Sequence, residues 1–331
     1  MEIRMKKCVI GFDGYRDILC RPVKEYQGDT PVFWENMEDF AKYIGSGRNA
    51  DIQLIQTCVK YGGNAPILSG ALAALGIETA CIGMFDGCGD ILQGLRERVE
   101  CYSIGTCNQC TALEFADGKI MLGTLESMGL CWDALRERMP EKELRRIMEG
   151  CGLLGIVNWS AFLNMNSMIE QMEEHIFTEW DGDHIFFDLA DFSAREKEDV
   201  RELIKIIKRL ALKYRIILSL NEKELEILEE RYYEEKSSKD AAGMRLAKEI
   251  PESMVIMHGK EGAVCYQKDV RTASESSRIE QPSFLTGAGD HFNAGICYGI
   301  LKGMEIRKVL DWGNRTAYHY ILYGRDLTLD T

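Results

Sequence analysis

The stretch Leu285-Thr286-Gly287-Ala288-Gly289-Asp290-His291-Phe292-Asn293-Ala294-Gly295 places a glycine-bracketed turn directly ahead of an apolar helix, with one carboxylate at the junction. Gly287 and Gly289 let backbone N–H groups converge, and the helix that follows adds the positive end of its dipole, so the turn suits an anion. A carboxylate there would repel a phosphate unless it has work to do, and taking a proton from an attacking hydroxyl is the natural role for Asp290. The same residues also fit an ordinary tight turn with Asp290 as a helix N-cap, and locally both readings stand. Phe292, Ile296 and Ile300 share one helical face, with Gly295 and Gly299 beside them. Each glycine disfavours a helix by about 1 kcal/mol against alanine, so the pair predicts another backbone passing close by.

Working outward, 331 residues with six prolines and no low-complexity tract fit one large α/β domain spanning residues 1–331. A formal charge of −13 argues against nucleic acid or an anionic membrane surface as a partner. An anionic nucleotide would need local help from helix N-termini and a divalent cation. The N-terminus lacks the pattern of a secretory signal and no apolar run reaches the roughly 18 residues of a membrane span, so a cytoplasmic protein is expected. Twelve cysteines then read as buried thiols rather than a disulfide framework. Cys107-Asn108-Gln109-Cys110 has no second pair to complete a zinc site.

Short apolar runs alternate with helical patterns over most of the chain, the mark of βαβ units and a parallel sheet. Strands are predicted at Cys8–Phe12, Thr79–Gly83, Leu153–Trp159, His184–Asp188, Arg215–Leu220, Met254–Met257 and Gly262–Tyr266, and a helix at Ala65–Leu75. Residues 14–61 and 101–125 break the alternation, the second with a hairpin suggested at Asp117-Gly118, and both suit a small β lid that closes over a substrate. The charged stretch from Glu222 to Lys248 reads as a solvated helical face. No P-loop pattern occurs, and Gly45-Ser46-Gly47-Arg48-Asn49-Ala50 follows a helical segment rather than a strand, which weakens it as a dinucleotide fingerprint.

Four further segments stand in order with the opening one: Gly62-Gly63-Asn64-Ala65 at a helix start, Gly83 to Asp90 after a strand, Asn221-Glu222-Lys223-Glu224 after an apolar run, and His258 to Gly262 between two strands. Together they resemble the ribokinase-like (PfkB) carbohydrate kinase family over nearly the whole chain. The resemblance implies a doubly wound α/β/α sandwich with a small β lid, and ATP-dependent phosphorylation of a hydroxyl, expected to be a primary one, on a sugar or sugar-like molecule. It implies Asp290 as catalytic base, and Gly287, Ala288 and Gly289 as the anion hole. Asn221 and Glu224 match a motif that organises Mg2+ through water. His258, Gly259, Gly262 and Asn314 match nucleotide-site positions, Gly62, Gly63 and Asn64 the loop that touches the sugar, and Asp17, with Asp13 as the alternative, an aspartate that holds sugar hydroxyls. A homodimer through the lid is an expectation by the same analogy.

Three departures from the family's pattern bear on the pocket. Ile67 replaces an asparagine that contacts the acceptor, which leaves the sugar unnamed. Phe284-Leu285 replaces an Asp-Thr pair ahead of the turn, which predicts weak or absent potassium activation, and Asp191 replaces an asparagine. Two other readings share these residues: a nucleoside kinase, with Phe33 and Trp34 as candidate aromatic clamps, and a non-catalytic sugar- or nucleotide-sensing homologue.

Overall fold

The computed structural model describes residues 7–47, 51–124, 126–280 and 284–330. Met1 to Lys6, and Arg48, Asn49 and Ala50 of the glycine-containing run, lie outside them. Fourteen strands among the described residues form two sheets. The larger takes β1 (Lys7–Gly11), β5 (Thr79–Asp86), β6 (Glu100–Thr106), β9 (Cys151–Val157), β10 (His184–Asp188), β11 (Arg215–Asn221), β12 (Ser253–Gly259), β13 (Gly262–Gln267) and β14 (Val270–Glu275). Its order is β14-β13-β12-β11-β10-β9-β1-β5-β6, parallel except for the β12-β13-β14 meander at one edge. The smaller takes β2 (Tyr15–Gln27), β3 (Thr30–Phe33), β4 (Leu54–Gly62), β7 (Asn108–Phe115) and β8 (Gly118–Thr124). The irregular 101–125 segment is therefore divided: residues up to Thr106 belong to the large sheet, and the hairpin turning at 116–117 belongs to the small one.

The central strands read as unbroken apolar runs because both faces are covered. Leu153, Phe186 and Ile217 point into one apolar layer while their neighbours Leu154, Phe187 and Leu218 point into the other. On the first face lie α2 (Asn64–Ala74), α4 (Ala288–Leu301) and α5 (Ile306–Tyr323), while α3 (Glu222–Leu228) leads off the end of β11 and buries Leu225 and Leu228 in the other layer. The two helical glycines of α4 answer to α5. A Cβ on Gly295 would lie 2.3 Å from the Trp312 carbonyl oxygen, and one on Gly299 would lie 3.0 Å from Val309 Cα. The small sheet carries its own patch of core, where α1 (Met37–Ser46) sets Phe40 against Cys20 and Leu113.

One cysteine expectation needs correction. Not all twelve are thiols: Cys107 and Cys88 are joined in a disulfide. The Cys107 N–H donates to the Asp86 carbonyl at 2.8 Å, which brings the start of β7 against the loop after β5, where Cys88 sits. The other ten cysteines are free, Cys110 among them.

Candidate active site

Every parallel strand near the middle of the large sheet ends on a polar residue at the same edge, where open α/β sheets bind ligands. Asp13 lies just beyond β1, Asn158 just beyond β9, Asp188 ends β10, Asn221 ends β11 and His258 stands near the end of β12. Asp13 is fully buried and accepts three N–H bonds: from Asn64 N at 2.9 Å, Ala65 N at 2.7 Å and Asn158 Nδ2 at 2.7 Å. It thus caps α2 from outside the helix, because the preceding Gly63, at φ 100°, offers no side chain to do so. Gly63 also makes room, since a Cβ there would lie 2.9 Å from Asp13 Oδ2. Burial pushes the Asp13 carboxyl up to about 6 even though the three donors pull it down.

Asp17 behaves differently. It is buried on β2 over Gly62, whose Cβ would collide with the carboxylate at 2.2 Å, and no hydrogen bond among the described residues reaches its oxygens. Burial raises its pKa, and Lys60 and Lys119 offset this in part. Tyr15, two residues earlier, lies between the two aspartates and feels both charges.

A buried polar chain joins the strand ends. Ser219 Oγ donates to Asn293 Oδ1 at 2.7 Å, Asn293 Nδ2 donates to Asp188 Oδ2 at 2.7 Å, and Asn64 Nδ2 reaches the same oxygen at 3.4 Å. Asn158 and Ala190 both adopt positive φ at adjacent strand ends, a backbone state that clusters at functional sites. Asn158, Ser219 and Asn293 carry no local motif. Their signal is a polar residue terminating or interrupting an apolar run, which gains meaning only once strand order brings those runs together.

Asp290 stands in the first turn of α4, partly open to the cleft, with Gly287 at φ 98° ahead of it. Burial, followed by the charges of Asp188, Asp13 and Glu224, holds its carboxyl well above the usual range. Among the three turn amides, Ala288 N–H donates to the Leu285 carbonyl at 3.1 Å, whereas no described residue accepts from Gly287 or Gly289. His258 approaches Gly289, its Cε1 lying 3.9 Å from where a Cβ would be. The ring stacks on Phe292 at 4.5 Å, and burial lowers its pKa to about 4, so it is neutral at pH 7.

Asn221 and Glu224 form a closed capping box on α3: Asn221 Oδ1 accepts from Glu224 N at 2.9 Å, and the Glu224 oxygens accept from Asn221 N at 2.8 Å and Nδ2 at 2.7 Å. Burial and then Asp188 push Glu224 up to about 8. With the inner donors engaged, the pair offers outward lone pairs suited to a hydrated cation, and four mutually repelling carboxylates call for positive charge. Among the described residues, no group of three or more His, Cys, Asp or Glu side chains is arranged to hold a bare metal ion.

The remaining positions have structural tasks of their own. Gly259 admits the Glu222 carboxylate, 2.8 Å from a virtual Cβ, and Gly262, at φ 135°, passes within 2.2 Å of the Ser274 carbonyl in the same terms. Asn314 donates to Ser274 O and Oγ at 3.2 and 3.0 Å, tying α5 to β14. Asp191 pairs with Lys223 at 2.8 Å at the surface, which with Ser193 holds it at about 2. Trp34 packs on Phe40 and Tyr43 in the small core under α1, and Phe33 stacks under Arg21. Phe284 leans on Tyr320 of α5 and Leu285 is exposed.

This layered sheet, with a carboxylate and a glycine turn at its C-terminal edge, is that of a ribokinase-like sugar kinase. An adenosine kinase from Sinorhizobium meliloti superposes with a TM-score of 0.69 at 18% identity, covering 97% of this chain and 94% of the other. A ribokinase-II-type protein from E. coli, in complex with ATP and Mg2+, superposes at 0.67 with 17% identity, covering 96% and 92%. In sequence, a ketohexokinase from Haloferax volcanii is 24% identical over 336 residues, covering 98% of this chain and 89% of its own. The family model for prokaryotic ketohexokinase matches residues 1–330, and the chain belongs to that family of carbohydrate kinases. No helix among the described residues is long and apolar enough to cross a membrane.

Proposed function

We propose that the protein transfers the γ-phosphoryl group of ATP to a hydroxyl of a ketohexose, with Asp290 as the general base. The observation that carries this reading is the position of Asp290: it opens α4 directly beside the glycine turn and shares a cleft with Asp13, Asp188 and Glu224. A base raised by its surroundings is well matched to a hydroxyl proton, provided bound cations allow it to ionise. Phosphoryl transfer otherwise needs alignment of the nucleophile and neutralisation of charge on the transferred oxygens.

Asp17, whose carboxylate has no other donor, takes two sugar hydroxyls together with the Gly62-Gly63-Asn64 loop, while Asp13 acts through that loop by fixing the start of α2. The Gly287, Ala288 and Gly289 amides receive the γ-phosphate, the Ala288 N–H sharing itself with the Leu285 carbonyl. Asn221 and Glu224 hold hydrated Mg2+, which when bound neutralises phosphate charge and draws the neighbouring carboxylates toward their ionised forms. His258, Gly259, Gly262 and Asn314 line the nucleotide side, and the small sheet acts as a lid that excludes water from the acceptor. The side chains of the exposed Leu285 and apolar Phe284 give no ligand for a monovalent cation, so potassium activation is weak or absent.

ADP release measured with fructose, ribose and adenosine as acceptors tests the reading. Turnover with fructose well above the others is expected; preference for adenosine would favour a nucleoside kinase, and no turnover with any acceptor a sensing role.

A further inference from the structure

We propose that His291 is a positioning residue for the anion turn, held by a relay of Tyr61, Arg98 and Asp326 that ties this turn to the Gly62-Gly63-Asn64 loop. The inference rests on the turn's proposed role with the γ-phosphate, and it concerns residues that contact neither sugar nor nucleotide in that reading. Four segments far apart in sequence meet here. His291 Nδ1 lies 2.7 Å from the Gly287 carbonyl oxygen, and Nε2 lies 3.0 Å from Asp326 Oδ1. Arg98 donates to Asp326 Oδ2 at 2.8 Å, and its guanidinium lies beside the Tyr61 phenol, at the end of β4 next to Gly62. Gly70 of α2 leaves space for that last contact, with Tyr61 Oη 3.4 Å and Arg98 Nη2 3.6 Å from its virtual Cβ. The His291 ring is 3% exposed and stacks on Tyr320 at 3.8 Å, and Tyr320 donates to the Thr286 carbonyl at 2.8 Å.

The chemistry of the partners sets the direction of these bonds. A carbonyl only accepts. Burial alone would raise the Asp326 carboxyl, but the bonds from His291 and Arg98 outweigh it and keep it below the ordinary carboxylate range, so it too accepts. Both ring nitrogens therefore face acceptors, and the ring is clamped between the turn and Asp326. The clamp matters because the peptide between Gly287 and Ala288 is a rigid plane, so the direction of the Gly287 carbonyl fixes the opposite direction for the Ala288 N–H. The Gly287 carbonyl meets His291 twice, through the backbone N–H at 3.1 Å and through Nδ1, so the ring adds a second hold on a plane that a glycine would leave free to shift. A relay running back to Tyr61 makes the geometry of the sugar loop and that of the phosphate turn one packed unit.

The test compares wild type with His291→Leu, which keeps apolar bulk against Tyr320, and with the milder Asp326→Asn. Binding of Mg–AMP-PNP and Mg–ADP is read by thermal shift and calorimetry. The preference for AMP-PNP over ADP is expected to fall at least about tenfold in both variants with ADP affinity retained, the size of losing one preorganised donor. With fructose, kcat should drop about 10- to 100-fold while its KM stays within about threefold, and the double variant should be no worse than His291→Leu alone. An unchanged AMP-PNP preference in either variant overturns the relay, as does a double variant whose loss equals the product of the single losses. Absence of sugar turnover in the wild type would instead count against the kinase reading, since the nucleotide comparison needs no acceptor.

Discussion

The Asn64 N–H donates to Asp13 Oδ2 at 2.9 Å, so the residue that opens α2 is held from the far side of β1 rather than by its own neighbours. In the proposed reading the two early aspartates have separate tasks, Asp13 inside the scaffold and Asp17 toward the sugar. Asp13→Ala leaves three N–H donors buried without their acceptor and is expected to lower stability by about 2–4 kcal/mol. Asp17→Asn should leave the denaturant midpoint almost unchanged and raise the KM for fructose at least about tenfold, equivalent to about 1.4 kcal/mol. Chemical denaturation and steady-state kinetics on both variants check this, and a reversed pattern would exchange their roles.

Asp290→Asn removes the proton acceptor while keeping the shape of the first turn of α4. A loss of about 10²- to 10⁴-fold in kcat is expected, the usual contribution of a general base. The variant should be more stable than wild type in the absence of ligands, because the replaced carboxylate is buried against Asp188, Asp13 and Glu224. Single-turnover phosphorylation and thermal unfolding measure the two effects. Phosphorylation within tenfold of wild type would remove Asp290 from the chemistry.

The parts legible in sequence are those whose cause is local. Gly287 and Gly289 announce a turn, and the spacing of Phe292, Ile296 and Ile300 beside Gly295 and Gly299 announces a helix that something approaches. The capping box of Asn221 and Glu224 is equally local, at three residues' separation. Asp188, Asn293, Ser219 and Asn158 meet only after β9, β10 and β11 are laid side by side, and His291, Asp326, Arg98 and Tyr61 only after the chain ends fold back on α2. The Cys88–Cys107 pairing depends in the same way on where the chain passes from β6 in the large sheet to β7 in the small one, while Cys110 lies on β7 itself.

Gly295→Ala tests the closest helix contact. The added Cβ would meet the Trp312 carbonyl at 2.3 Å and Thr316 Oγ1 at 2.5 Å, and backbone cannot rotate away as a side chain can. An overpacking penalty of about 1–3 kcal/mol is expected, larger than the gain of about 1 kcal/mol in helix propensity. Because α4 also carries Asp290, the displacement should lower kcat beyond the effect on stability. Gly94, with nothing within 4 Å of its virtual Cβ, supplies the control. Gly94→Ala, on an exposed helical position, should leave kcat unchanged and raise stability by up to about 1 kcal/mol.

The carboxylates of the cleft predict an unusual dependence of stability on pH in the ligand-free protein. Glu224 stands at about 8 and Asp13 at about 6 in the folded state, against ordinary values of 4.5 and 3.8. Between those limits the folded protein holds protons that the unfolded chain has released, so stability falls as pH rises. The Asp13 contribution is complete near pH 6 and the Glu224 contribution near pH 8, each unit of displacement being worth about 1.4 kcal/mol. Surface acids such as Asp191, held at about 2, act in the opposite sense but only at lower pH. The melting temperature without ligands should thus decline from pH 5.5 to 8. Glu224→Gln should flatten the upper part of that decline by removing the group that titrates there. Added Mg–ADP should do the same in the wild type by supplying the positive charge that the ionised carboxylates lack. A melting temperature that rises across this range, with or without Glu224, would mean that the cleft carboxylates are already ionised and compensated from within the fold.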